Sequence, residues 1–108
     1  VGAIGSGLIM AVLRLVIHAP TPASLERGRR NVANLLKADG QAQVELVVNA
    51  GAVAAALGQP DATDVHLRLC GNTLAANGLT APDGIVVVEA AVLHIARRQA
   101  EGWAYMRA

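Results

Sequence analysis

The stretch Val65-His66-Leu67-Arg68-Leu69-Cys70-Gly71-Asn72-Thr73-Leu74-Ala75-Ala76-Asn77-Gly78-Leu79 decides how the chain is read. Its first five residues alternate apolar and polar side chains, the pattern of a half-buried strand. Asn72 suits a helix N-cap, because its side-chain carbonyl accepts an orphan backbone N–H. Thr73 to Asn77 then forms a short helix, and Gly78 suits the left-handed position that closes one. Cys70, the only cysteine, therefore stands at a strand-to-helix corner. A sulfur there faces free N–H groups and the positive end of a helix dipole, and both favour thiolate over thiol. Two readings fit this position: a reactive thiol, or a small buried hydrophobe.

The same strand-to-helix rhythm recurs on either side. Ala11 to Ile17 is β-branched-rich and apolar, as in a buried strand, and ends at His18-Ala19-Pro20. Thr21 as N-cap and Pro22 at the first helical position open a helix. Its apolar stripe is Leu25, Gly28, Val32, Leu35 and Leu36, and Asp39-Gly40 closes it. Val44 to Val48 is a second strand ending at Asn49, and Gly51 to Leu57 a short helix. The third strand, Val65 to Leu69, carries His66 and Arg68 between its hydrophobes, which suits an edge or a subunit contact. Ile85 to Val88 is the most apolar strand and is expected to be covered on both faces. Ala90 to Glu101 is a helix capped by Gly102, and Trp103 to Met106 a fifth strand. Strands alternating with helices over short connections predict a mostly parallel sheet with helices on both faces.

Composition bounds the rest. The 108 residues suit one domain. Residues 10–108 form that domain, and residues 1–9 read as a leader ahead of a start at Met10, or else as a flexible N-terminus. Apolar residues are 54% and charged residues 16% of the chain, above and below the usual globular mix. So much apolar surface on a small chain predicts a homo-oligomer. A net charge of +1 with no basic cluster argues against nucleic acid as a partner. No apolar segment is long enough to span a bilayer, so no membrane association is expected. One cysteine argues against a disulfide scaffold or a cysteine-based zinc site, and points to a reducing cytoplasm. No metal or organic cofactor is indicated. Phosphate-loop, dinucleotide-binding, His-Glu-x-x-His and serine-triad patterns are all missing.

In an open parallel sheet, chemistry gathers beyond the carboxyl ends of the strands. His18, Asn49, Cys70 and Glu89 stand at those ends. Cys70 is the candidate nucleophile, with the N–H groups of Gly71, Asn72 and Thr73 as anion donors, Asn49 as a further donor and His18 as proton partner. Each also has a plain structural role: His18 in a loop, Asn49 in its own turn, Glu89 against a helix dipole. His66 and His94 read as structural.

The chain resembles the small DsrE/DsrF-like proteins. The resemblance rests on His18-Ala-Pro-Thr-Pro22, Val47-Val-Asn-Ala-Gly51, Leu69-Cys-Gly-Asn-Thr-Leu74 with Asn77-Gly-Leu79, and Ala96-Arg-Arg-Gln-Ala-Glu-Gly-Trp-Ala-Tyr105. Together these run from about Met10 to Ala108. The resemblance implies a three-layer α/β/α domain with a five-stranded sheet, assembled as a trimer or hexamer. It further implies that Cys70 carries sulfane sulfur as a persulfide between donor and acceptor proteins, as a sulfurtransferase or sulfur carrier. The alternative is a non-catalytic oligomeric binding or scaffold protein, with a pocket for a small anion or nucleotide-like ligand at the strand ends.

Overall fold

In the computed structural model, which describes residues 11–108, strand β1 (Arg14–Ala19) leads into a helix start written in the sequence. Thr21 Oγ1 accepts from the Ser24 N–H at 3.0 Å, and Ser24 Oγ accepts from the Thr21 N–H at 2.9 Å. This reciprocal cap, with Pro22 at the first turn, nucleates α1 (Pro22–Ala38). Leu25, Gly28 and Val32 are buried on its inner stripe. Gly28 permits close packing, because a Cβ there would lie 2.6 Å from Leu46 Cδ1.

The remaining elements are β2 (Gln43–Val48), α2 (Gly51–Gly58), a 3₁₀ turn (Ala62–His66), β3 (Leu67–Cys70), α3 (Gly71–Asn77), β4 (Val86–Val88), α4 (Ala91–Ala100) and β5 (Ala104–Arg107). The five strands form one all-parallel sheet in the order β4-β3-β2-β1-β5. The architecture is the expected three-layer α/β/α sandwich. Strands β1 to β4 step in one direction, and their connecting helices pack together on one face. Ile17, Leu46, Val48, Leu67 and Leu69 meet Leu25, Val32, Val53 and Leu74 in that core. The last connection crosses back to the far edge, and α4 lies on the opposite face, as crossovers of one hand require. The second core is small: Val16, Val47, Cys70 and Ala91, flanked by Ile95 and Trp103.

The expected leader, residues 1–9, lies outside the described residues. Several expectations about the elements are corrected. The first strand begins later than expected and includes His18. Ala62–His66 is a 3₁₀ turn, not the start of a strand, because Asp61 and Asp64 cap each other's backbone reciprocally. The strand after it, β3, is interior, and Arg68 alternates because it faces a buried carboxylate, not solvent at an edge. The apolar run at β4 is the open edge of the sheet instead of being covered on both faces. Val86 and Val87 are 44% and 46% exposed.

Candidate functional site

Strands β3 and β4 are neighbours whose following helices leave for opposite faces: Leu74 of α3 joins the larger core, and Ala91 of α4 the smaller. Such a reversal opens a crevice at the carboxyl ends of the two strands. Cys70 ends β3 at this point and occupies the N-cap position of α3 that was expected of Asn72, with no side-chain capping hydrogen bond. Asn72 sits exposed in the first turn of the helix, its side chain making no capping bond. Gly71 is required here. A Cβ on it would lie 2.8 Å from the Val88 carbonyl oxygen and 3.1 Å from that of Glu89, both backbone atoms with no room to yield.

The thiol sits between two helix N-termini. The Ala91 N–H of α4 donates to Cys70 Sγ at 3.4 Å. Burial pushes the thiol up, but the Thr73 hydroxyl and the N–H groups of Ala91, Thr73 and Asn72 outweigh it, and the thiol is held below its ordinary range. The Thr73 hydroxyl is shared: its oxygen also accepts the Ala50 N–H at 3.2 Å. Ala50 has φ 49° and ψ −139°, a conformation that strains any residue with a Cβ and costs on the order of 1 kcal/mol. The strained peptide thus ties the β2 end to the sulfur corner. The sulfur is buried, with Cys70 only 5% exposed.

Beside this corner, the rim carries a second polar group. His18 Nε2 lies 2.9 Å from Asn49 Oδ1. A side-chain carbonyl oxygen can only accept, so Nε2 is the donor of this pair. The Tyr105 hydroxyl stands 3.5 Å from Nδ1. These residues, with Val92, Ile95 and Gln99 of α4, line a half-open cavity of about 300 Å³.

The structure thus brings His18 and Asn49 together, and gathers Gly71, Asn72 and Thr73 around Cys70. The two groups meet through the Ala50–Thr73 hydrogen bond and not in one pocket. Glu89 belongs to neither; it lines a separate cleft with Leu93, His94 and Arg97. The motif reading passed over Tyr105 and Gln99, although both lie in the Gln99–Tyr105 ending.

It also passed over Glu45, which is buried under α4 on the same sheet face. Its carboxylate accepts from His94 Nε2 at 2.6 Å, Arg98 Nε and Nη2 at 2.9 and 2.8 Å, and Arg68 Nε at 3.3 Å. Arg98 also lies over the Trp103 ring, 4.7 Å from its centroid. Glu45 follows the buried Val44 in a strand where every residue from 44 to 48 is buried. That apolar setting was its one signal in the sequence.

No helix among the described residues is long and apolar enough to cross a membrane. Compared with known proteins, the chain matches no protein-family model and no curated sequence.

Proposed function

We propose that the chain is a sulfur carrier in which Cys70 takes up sulfane sulfur as a persulfide and passes it to an acceptor thiol. The observation that carries this reading is a lone sulfur at a strand-to-helix corner that also receives the first N–H of α4 at 3.4 Å. In the loading step the Cys70 thiolate attacks the outer sulfur of a donor R–S–SH. The donor S–S bond breaks, R–S⁻ leaves, and Cys70–S–SH forms. In the unloading step an acceptor thiolate attacks the outer sulfur, and Cys70 departs as thiolate. Neither step needs an external oxidant or reductant. Donors that stabilise the thiolate serve both steps, since a thiol of lower pKa also leaves faster. The chain holds no second cysteine, so its persulfide has no internal thiol with which to collapse. The resemblance of the Cys70 corner to DsrE/DsrF-like proteins points the same way. With it comes a homo-oligomer, trimer or hexamer, for which the exposed valines of the β4 edge are available surface, and a reducing compartment such as the cytoplasm.

Because Cys70 is buried, transfer requires the sulfur to become accessible to donor and acceptor. The test is intact mass after anaerobic incubation with polysulfide, beside Cys70→Ser. The expected result is a reductant-removable gain of about one sulfur on the original chain alone. No gain, with Cys70 also resistant to alkylation in the native protein, refutes the carrier.

A second reading, a binding protein without thiol chemistry, is favoured by one observation. The cavity at the strand ends is lined by His18 and Asn49 and not by Cys70.

A further inference from the structure

We infer that the cavity between α4 and β5 binds a small uncharged molecule with a planar apolar body and an amide-type edge that both donates and accepts hydrogen bonds. The inference deepens the binding reading and is independent of sulfur transfer.

Charge comes first. Among the described residues, no Asp, Glu, Lys or Arg lines the cavity. Arg107, the next residue outward on the same face of β5, turns Nη1 to the Ala108 carbonyl oxygen at 3.2 Å and is not part of the lining. A charged ligand would be stripped of water with no carboxylate, ammonium or guanidinium to pair with it, a cost that hydrogen bonds alone do not repay. This departs from the anion expected at helix N-termini, since those termini are directed at Cys70 instead.

Shape and chemistry come next. A volume of about 300 Å³ is at the small end for ligand pockets and suits a single-ring molecule. Val92 and Ile95 on α4 form an apolar wall, and the Tyr105 ring adds an aromatic surface on which a planar body can pack. The polar groups sit together. Asn49 gives its Oδ1 to His18 and keeps two Nδ2–H donors. The Tyr105 hydroxyl is paired with His18 Nδ1 at 3.5 Å, and its oxygen remains able to accept. Adjacent donor and acceptor groups match a carboxamide, a lactam or the edge of a nucleobase. Val92 is 77% exposed and marks the mouth, so entry needs no rearrangement of the core.

The test uses benzamide as probe and benzoate as its charged counterpart, titrated into the ¹⁵N-labelled chain and followed by amide shifts. Saturable benzamide shifts at Asn49, Gln99 and Tyr105 are expected, with benzoate at least about tenfold weaker. Val92→Trp, at an exposed site, is expected to weaken benzamide by about tenfold or more by closing the mouth, with shifts elsewhere unchanged. Benzoate binding as well as benzamide at these amides overturns the ligand class while leaving the binding reading intact. Silence with both probes overturns the inference, whereas the binding reading falls only if Cys70 also takes up sulfur from polysulfide. Shifts at the same amides that follow protein concentration alone overturn it too, because the cavity then belongs to a contact between copies.

Discussion

Glu45→Gln is expected to destabilise the fold by about 3 kcal/mol at neutral pH, and to do so through charge. Glu45 is 4% exposed and is surrounded by His94, Arg98 and Arg68. Burial alone would raise its pKa, but hydrogen bonds from Arg98 and His94 and the charges of Arg68 and Arg98 win, and it falls from 4.5 to about 2. A difference of that size between unfolded and folded chains amounts to about 3 kcal/mol. Since the folded value is the lower one, the stabilisation is complete above about pH 5 and is lost as pH falls toward 2. Between pH 7 and pH 3.5 the native chain should therefore lose about 1.4 kcal/mol from this group, whereas the Gln variant loses none of it. The assay is urea unfolding at both pH values, read by the fluorescence of Trp103, the only tryptophan, which packs on Arg98. A cost under about 1 kcal/mol at pH 7, or a gap that does not narrow by pH 3.5, refutes the argument. Replacing Glu45 and Arg98 together by Met should recover part of the loss, because it also removes the stranded guanidinium.

Two further outcomes follow from the sulfur corner. Thr73→Val removes the hydroxyl that serves the thiol and the Ala50 N–H, so the pH at which Cys70 alkylates should move up toward that of a free cysteine. Iodoacetamide rates across pH check this, and an unchanged profile removes Thr73 from the thiol's surroundings. Gly71→Ala should cost about 1–3 kcal/mol and speed hydrogen exchange at β4, because the new methyl meets the Val88 carbonyl oxygen at 2.8 Å. Native stability in that variant refutes the close approach.

The larger core was legible because its elements obey local rules. Thr21-Pro22 opens a helix, Gly78 closes one in the left-handed conformation at φ 61°, and the α1 stripe repeats at helical spacing. The rim was legible for a different reason: in a parallel sheet every strand ends on the same side, so His18, Asn49 and Cys70 reach one edge whatever the strand order. Strand order itself was not legible. Composition alone makes Val86-Val87-Val88 read as interior, whereas the last crossover places β5 beside β1 and leaves β4 open. The same crossover decides what each strand end does. It sends α4 to the face opposite the other helices, so that its first N–H reaches the Cys70 sulfur, its middle walls the His18 cavity, and its last turn closes on Glu45. One helix thus serves three polar groups, while the helices opposite it pack on an apolar core. The polar strand residues His18, Glu45 and Arg68 all face α4. They mark the polar face of the sheet, and the unbroken apolar positions mark the face that holds the larger core.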